Sequence, residues 1–374
     1  MNTHFIFWDI NVWADGALRL LMITGLMTVV AMGLIYLERK VLARFHQRVG
    51  PQRTGPLGLL QSVADALKLV GKEDLRPTNA DPWTFELAPY LVFIPIFLGF
   101  VVIPFVADWQ VRVLDLGILY FVAASSLTIV GWVAAGWGSD NRYAMIGGLR
   151  SAAQAISYEL PLVLSLLSVG IVAGTLNLNE MVQGQSAVPN IVWQPMAFFI
   201  FFIAALAELN RTPFDIPVGE SEVVGGPFVE YSGIRWSMFF LGEYAGMFIM
   251  SILAGAVFLG GYEWPFGGEL GRGWQVVLVG VKSSIFIFLV FWVRASMPRL
   301  RIDQLMGYAW KVLVPLSLVQ VLLNGAVLVY GGPKIILTVT GLAGIVFLFW
   351  ITDRAVSKPR VRPANPAMQT EAAS

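Results

Sequence analysis

Residues 152–174 read AAQAISYELPLVLSLLSVGIVAG, a 23-residue run in which Glu159 is the only charged side chain. About 20 largely apolar residues in a helix cross the hydrocarbon core of a bilayer, and the chain holds eight more such stretches. We predict nine membrane-spanning helices, of which the fifth and ninth are the shortest, at residues 17–37, 86–106, 118–137, 152–174, 195–209, 237–259, 275–293, 309–329 and 334–351. The sequence thus predicts an all-α polytopic membrane protein, with one transmembrane domain over residues 1–356 and a disordered cytoplasmic tail over 357–374.

Composition excludes several classes of protein. Hydrophobic residues make up 57% of the 374 residues and charged residues only 13%, too few to solvate a water-soluble globule. The net charge of +1 gives no electrostatic basis for binding nucleic acid. There is no cysteine, and His4 and His46 are the only histidines, so we expect no disulfide, no iron-sulfur cluster and no metal or haem site. If electrons are involved, their carriers must lie elsewhere.

The basic residues predict the orientation. Of the 25 Lys and Arg residues, 20 follow the first, third, fifth, seventh and ninth predicted spans. Because cytoplasmic loops carry the excess of Lys and Arg, we expect the N-terminus outside and the C-terminus in the cytoplasm of a cell inner (plasma) membrane. Segments 38–85, 138–151, 208–236 and 294–308 are then cytoplasmic.

One segment on that side is predicted to be an amphipathic helix that does not cross. Over residues 57–72, Leu57, Leu60, Val63, Leu67 and Val70 recur at steps of three and four. The polar positions, among them Asp65, fall on the other face. The pattern is equally compatible with a helix in the membrane interface and with one packed on the protein's own loops.

Three carboxylates lie within predicted spans: Glu159, Glu208 and Glu243. A charged group at the bilayer centre costs about 2.5–3.5 kcal/mol on insertion scales, so their presence needs a reason. Counted at 1.5 Å per residue, all three lie at similar depth, and we predict a lateral row that can exchange protons. The alternative is that each glutamate pairs with an Arg or hydroxyl to fasten helices.

Four further acids follow Glu208 in the loop, and Pro and Gly residues there predict irregular backbone lining a polar cavity. They are Asp215, Glu220, Glu222 and Glu230. Lys282 is the one basic residue well inside a predicted span, and we expect its side chain to snorkel outward in preference to joining a proton path. Arg39 and Arg294, at span ends, are candidates to bind the polar head of an amphipathic redox lipid such as a quinone.

Four stretches resemble one family, the H subunit of the proton-pumping NADH:quinone oxidoreductase (respiratory complex I), which is the counterpart of mitochondrial subunit one. Together they cover roughly residues 17–330, and the ninth span lies outside this shared core. They are ERKVLARFHQRVGPQRTGPLGLLQSVADALKLVGKED (38–74), GWGSDNRYAMIGGLRSAAQAISYE (136–159), AELNRTPFDIPVGESEVV (207–224) with FVEYSG (228–233), and VRASMPRLRIDQLMGYAWKVLVP (293–315).

The resemblance implies a membrane-arm subunit without catalytic activity of its own. Quinone would be its substrate, bound non-covalently, while flavin and iron-sulfur clusters would sit only on partners. The implied partners are soluble quinone-site and iron-sulfur subunits, small membrane subunits, antiporter-like subunits and membrane lipids. The family's quinone tunnel maps onto Arg39, Ala64, Asp65 and Arg294. Its acidic proton path maps onto Glu159, Glu208, Asp215, Glu220, Glu222, Glu230 and Glu243.

Two other functions remain open on the sequence. The chain also resembles the anchor subunit of ferredoxin-driven or hydrogenase-type relatives, which share these motifs. A stand-alone secondary transporter is a third possibility, although such folds often show inverted repeats and we find no convincing internal repeat here.

Overall fold

The computed structural model describes residues 12–107, 110–216, 219, 224–264 and 271–357. Within these ranges thirteen α-helices follow one another along the chain. They are α1 Val12–Phe45, α2 Gln61–Gly71, α3 Pro82–Gly99, α4 Gly117–Gly138, α5 Arg142–Ala173, α6 Leu178–Gln183, α7 Asn190–Trp193, α8 Pro195–Glu208, α9 Gly233–Phe258, α10 Arg272–Ser296, α11 Ile302–Tyr308, α12 Val314–Val329 and α13 Ile335–Ser357. A π-helical turn, Ala309–Leu313, joins α11 to α12. Glu220, Glu222 and the predicted tail from residue 358 lie outside the described residues.

Seven helices of the described chain are long and apolar enough to cross a membrane, which confirms the all-α polytopic class. They are α1, α3, α4, α5, α9, α10 and the continuous α11–α12 segment. The fifth and ninth predicted spans correspond to shorter apolar helices, Pro195–Glu208 and Ile335–Leu348. The 14 residues of α8 extend only about 21 Å, less than the roughly 30 Å hydrocarbon core. Helix α8 by itself is therefore too short to cross that core.

Several predicted span boundaries need correction, most clearly at α3 and α5. Helix α3 begins at Pro82 rather than residue 86, because proline fits the first helical position, and the chain is already extended at Ile103, before Pro104. Helix α5 begins at Arg142, ten residues ahead of the predicted start, where the Asn141 side chain caps it by accepting from the Tyr143 N–H. Its 32 residues reach about 48 Å, which is longer than the roughly 30 Å hydrocarbon core.

The amphipathic helix is shorter than predicted. A 3₁₀ turn at Pro56–Gly58 precedes α2, and Leu57 there has φ of +57°, outside the right-handed helical region. Gly58 has φ of +79°, and a Cβ at this position would lie 2.3 Å from the Pro51 carbonyl oxygen. Residues 57–60 therefore form a tight turn that only glycine at position 58 permits, and α2 starts at Gln61.

Helices α5, α8 and α9 form the centre of the bundle. Almost every residue of α9 from Tyr244 to Phe258 is buried, as are most residues of α8. Helix α5 touches the irregular loop between α8 and α9 so closely that a Cβ on Gly147 would lie 2.4 Å from the Gly226 Cα. Small residues allow such backbone approach inside a membrane, and this contact fixes the acidic loop against α5.

Lys282 was expected to snorkel outward, but its side chain does not reach solvent. Its side chain is buried in α10, and its ammonium donates to the carbonyl oxygens of Gly261 and Glu263, at 2.8 and 2.7 Å. These carbonyls belong to the loop between α9 and α10. Backbone carbonyl oxygens thus take the place of water around the ammonium group. The prediction that Lys282 snorkels outward was therefore wrong about what surrounds its charge.

Candidate functional site

Glu208 and Glu243 line one partly enclosed cavity. The cavity has a volume of about 60 Å³ and lies between α3, α4, α8 and α9. It is large enough for several water molecules, since one water needs about 10–15 Å³ by the same measure. The Glu208 Oε2 atom is buried and has no hydrogen-bond partner among the described residues. Two carboxyls from neighbouring helices therefore face one space that water can fill.

Glu159 lies beside this pair. It projects from α5 and accepts a hydrogen bond from the Ser126 hydroxyl of α4. Ser125, the neighbour of Ser126, lines the cavity, and Glu159 is close enough to Glu208 for their charges to interact. The three intramembrane glutamates predicted as a lateral row are thus brought together across α5, α8 and α9.

The loop after α8 is held in place by Gln154 of α5. Its amide nitrogen donates to the carbonyl oxygens of Ala207 and Phe214, both at 2.7 Å, and to the Asn210 side chain at 3.2 Å. A buried amide of this kind satisfies backbone acceptors that no regular helix would pair. One side chain thereby fixes the end of α8, which carries Glu208, and the start of the acidic loop.

A second group of charged side chains surrounds Glu38, near the end of α1. The Glu38 side chain is only 4% exposed. Its carboxylate forms an ion pair with Arg294 Nη1 at 2.5 Å and accepts a hydrogen bond from Arg211 Nη1 at 3.3 Å. No role was assigned to Glu38 from the sequence. The signal it offered was one acid directly before Arg39 and Lys40 at a span end.

Arg211 connects the two groups. Its guanidinium carbon lies 4.4 Å from the centroid of the Tyr244 ring, and its Nε and Nη2 atoms are buried without hydrogen-bond partners among the described residues. Burial lowers the pKa of Arg211, but Tyr244, Glu38 and Glu243 together raise it above the usual arginine value. The guanidinium is therefore a permanent positive charge between Glu38 and the cavity acid Glu243.

Asp215 lies at the edge of this network, in the loop after α8. It pairs with Arg299 at 2.9 Å. Burial raises the pKa of Asp215, and the opposing charges of Arg299, Arg294 and Arg211 only partly offset this, so the net direction is upward from 3.8. Arg211 and Arg294 act on both Glu38 and Asp215, so Asp215 is part of the same electrostatic network.

Glu230 is placed apart from the other acids. It accepts a hydrogen bond from the Asn141 side chain at 2.6 Å, next to the start of α5. Glu159, Glu208 and Glu243 thus lie in one region, with Asp215 at its edge. Glu230 lies beside the start of α5. The two remaining predicted path acids, Glu220 and Glu222, lie outside the described residues.

Helix α2 turns its polar face toward the protein. Arg39 Nη1 lies 2.6 Å from Asp65 Oδ2, and Gln61 donates to Asp65 at 3.2 Å. Partial burial raises the pKa of Asp65, but the Arg39 hydrogen bond and charge, with help from Gln61 and Lys68, bring it below 3.8. The pair is a partly exposed ion pair that fastens α2 to α1.

The apolar stripe of α2 points away from the described protein. Ala64 is exposed, and the larger stripe residues are exposed by 40–69%: Leu60, Val63, Leu67 and Val70. Packing on the protein's own loops would have buried them. The described residues therefore favour the interfacial position of α2, with its apolar side turned to lipid or to an amphipathic ligand.

These features define a polytopic α-helical membrane protein whose buried acids and arginines form one network between the membrane interior and one face. The comparisons with known proteins give the family. Residues 18–325 match the NADH dehydrogenase family, and the chain belongs to that family.

Curated relatives extend the match over most of the chain. A protein of Brevibacillus brevis is 48% identical over 325 residues, covering 86% of this chain and 95% of the relative. A Geobacillus kaustophilus protein is 49% identical over 294 residues, 78% and 88% of the two chains, and a Dehalococcoides mccartyi protein is 43% identical over 312 residues, 83% and 86%. Each of these relatives is named as the H subunit of an NADH-quinone oxidoreductase.

Proposed function

We propose that the chain is the H subunit of a proton-translocating NADH:quinone oxidoreductase and acts only within that complex. The names of the relatives, which align with most of both chains, support this assignment. The chain has no cysteine that could ligate an iron-sulfur cluster, so electrons reach the quinone from clusters on partner subunits. The partners are soluble quinone-site and iron-sulfur subunits, small membrane subunits and antiporter-like subunits.

Quinone enters along α2 in this proposal. The exposed apolar stripe provides a surface for the isoprenoid tail, while Arg39, Asp65 and Arg294 mark the polar side near the headgroup's path. Ala64, being small and exposed, leaves room beside the stripe. An apolar passage with a few polar groups at one end suits an amphipathic quinone.

The observation that carries the coupling proposal is the cavity shared by Glu208 and Glu243. Two carboxyls in one buried space cannot both be charged without a large electrostatic cost, so the proton on one depends on the proton on the other. Water in the cavity connects them, and Glu159 continues the row. This row can pass a change of protonation sideways through the membrane part of the complex.

The arginine network links that row to quinone chemistry. Reduction of a quinone to a quinol takes up two electrons and two protons, which changes the charge and the proton demand near the headgroup. Arg294 and Arg211 both bind Glu38, and the charge of Arg211 acts on Glu243. A change near Arg294 or Asp215 is therefore felt at the glutamate row through charges a few ångströms apart.

The orientation belongs to the same proposal. The end of α1, α2, the end of α8 and the start of α9 meet at one face, and this face carries the excess of Lys and Arg. By the positive-inside rule it faces the cytoplasm. Partner subunits of the soluble arm would dock there.

The test uses Glu208→Gln and Glu243→Gln in the assembled complex in proteoliposomes. Glutamine keeps the shape but cannot carry the proton, so proton uptake driven by NADH and quinone should fall about tenfold or more. Proton movement is followed with a pH-sensitive dye, and NADH oxidation by an acceptor that bypasses the quinone site checks that the soluble arm is intact.

The matched control is Asp115→Asn, which removes an exposed acid at the opposite end of the bundle and should leave pumping unchanged. Full quinone-driven pumping in both glutamate variants would reject the coupling path. Pumping lost equally in the control would indicate a general defect of assembly and would also count against a specific role of the row.

A further inference from the structure

Arg235, in the first turn of α9, forms ion pairs with the segment after α2 and with α3. Arg235 Nε lies 3.1 Å from Asp74 Oδ2, and its Nη2 lies 3.3 Å from Glu86 Oε1. Its guanidinium carbon lies 5.5 Å from the centroid of the Phe85 ring. One side chain therefore holds three elements together: the exit from α2, the start of α3 and the start of α9.

Ser232 strengthens this junction at the expense of its own helix. It occupies the N-cap position of α9, where serine ordinarily accepts a hydrogen bond from the first turn, but no such bond is made. Its hydroxyl instead accepts from the Leu75 N–H at 3.2 Å and donates to the Glu73 carbonyl at 3.3 Å. The capping group of α9 is used to hold the chain that leaves α2.

Gly233 allows the two backbones to meet. It has φ of +58°, and a Cβ there would lie 3.1 Å from the Lys72 carbonyl oxygen. Any larger residue would be strained in this conformation and would push the end of α2 away. We name Ser232, Gly233 and Arg235 the α2–α9 clamp.

Helix α2 packs on α1 and α9 with one face only, because its apolar stripe is exposed. The ion pair between Arg39 and Asp65 holds its first turns. The clamp adds a second polar attachment at the C-terminal exit, and two separated attachments together fix the angle of α2 to the bundle. Helix α9, at the other side of the clamp, carries Glu243 ten residues after Gly233.

We propose that Arg235 is a positioning residue: with Ser232 it sets the angle of α2 and so keeps the passage for the quinone tail open. This inference rests on the proposed function, since it assumes that the tail runs along α2. It concerns a contact outside both the polar network and the glutamate cavity.

The assembled complex carrying Arg235→Ala tests the proposal with two quinones. The KM for a long-tailed quinone should rise about threefold to tenfold, while its kcat and both constants for a short-tailed quinone should change by less than about twofold, the pattern of lost binding rather than lost chemistry. Arg235→Lys keeps the charge but not the two-pronged geometry and should restore part of the KM. Arg112→Ala, an exposed arginine at the opposite end, is the matched control.

Hydrogen exchange of residues 61–75 in the same complexes reports the position of α2 directly. Faster exchange there in Arg235→Ala, with α5 unchanged, supports the clamp. Equal changes in KM for both quinones, or no change in KM together with unchanged exchange, overturns it. If Arg235→Ala does not assemble, Asp74→Asn and Glu86→Gln each remove one of the two ion pairs and should give smaller shifts of the same kind.

A photoreactive long-tailed quinone separates this proposal from the function on which it rests. Absence of labelling on α2 in the unmodified complex would reject the access path, and with it the role of the clamp. Labelling of α2 that is identical in the unmodified complex and in Arg235→Ala would reject the clamp alone. Labelling that drops in Arg235→Ala and returns in Arg235→Lys supports both.

Discussion

At the scale of single residues, Glu38 is the acid that two arginines of the polar network share. It is almost fully buried and forms ion pairs with Arg211 and Arg294. Arg211 is itself buried and already has two nitrogens without partners among the described residues. Loss of the Glu38 charge would leave a buried guanidinium uncompensated, which is the costly way to break an ion pair.

We therefore predict that Glu38→Gln lowers the free energy of unfolding by about 3–5 kcal/mol. Quinone reduction in the assembled complex should fall as well, because Arg294 and Arg211 lose the acceptor that orients them. The stability change can be measured by SDS titration of the purified chain in micelles.

A double-mutant cycle tests whether the pairing is the cause. Glu38→Gln and Arg294→Gln should be non-additive by about 0.5–3 kcal/mol, as contacting residues are. Glu38→Gln and Arg301→Gln should add, since Arg301 is exposed on the same face. Additivity in both cycles would show that the 2.5 Å contact does not stabilise the protein.

At the scale of elements, α2 is attached through its polar face. The pKa of Asp65 lies below 3.8 because Arg39, Gln61 and Lys68 outweigh the effect of partial burial. A carboxylate with a lowered pKa contributes stability at every pH above its unfolded value, and the contribution is lost as the pH falls through the lowered pKa. Docking of α2 is thus expected to be insensitive to pH near neutrality.

The corresponding prediction concerns Asp65→Asn. Because the ion pair is partly exposed, it is worth at most about 1 kcal/mol, so hydrogen exchange of residues 61–71 should speed up about twofold to fivefold at pH 7. The difference from the unmodified chain should vanish once the pH is well below 3.8.

Arg39→Gln provides the partner control, since it removes the other half of the pair and should give the same acceleration at pH 7. Exchange in Asp65→Asn that equals the unmodified chain at pH 7 would show that the ion pair does not hold α2. The measurement requires only the purified full chain in nanodiscs.

At the scale of the whole molecule, the proposed orientation makes opposite ends of the bundle accessible from opposite sides of the membrane. The chain contains no cysteine, so one introduced cysteine reports one position when the tagged chain is examined by gel shift. Gln52→Cys lies on the basic face and Val113→Cys at the other end, and both positions are exposed.

We predict that a membrane-impermeant maleimide added to spheroplasts shifts Val113→Cys and leaves Gln52→Cys unmodified. Inverted vesicles should give the reverse pattern, because the basic face is cytoplasmic. The opposite result in both preparations would invert the proposed topology and place the soluble partners on the wrong side.

Much of the fold could be predicted because the bilayer imposes a length and an apolar composition on each crossing. The seven long apolar helices and the two shorter ones all coincide with predicted spans. Boundaries were less accurate where local chemistry decides them, as with the Asn141 cap that starts α5 and the strained turn at Leu57 before α2. Caps and turns depend on a few backbone angles that hydropathy does not report.

The acids of the candidate site were visible in the sequence because a carboxylate within an apolar run is expensive and therefore unusual. Which of them meet was decided by packing. The ion pairs of Glu38 join residues that are far apart in the chain, Arg211 and Arg294. They form only when α1, the loop after α8 and α10 are packed together. The direction of α2 was also settled by tertiary contacts, since its pattern alone fits burial of either face.

The sequence by itself thus determined that this is a multi-pass helical protein with intramembrane acids, since hydropathy and charge act residue by residue. Only the tertiary structure decided that Glu208 and Glu243 share a cavity, that Glu38 joins two arginines, and that Lys282 is held by carbonyls. Electrostatic partners are set by distances in space, and those distances depend on how the helices pack.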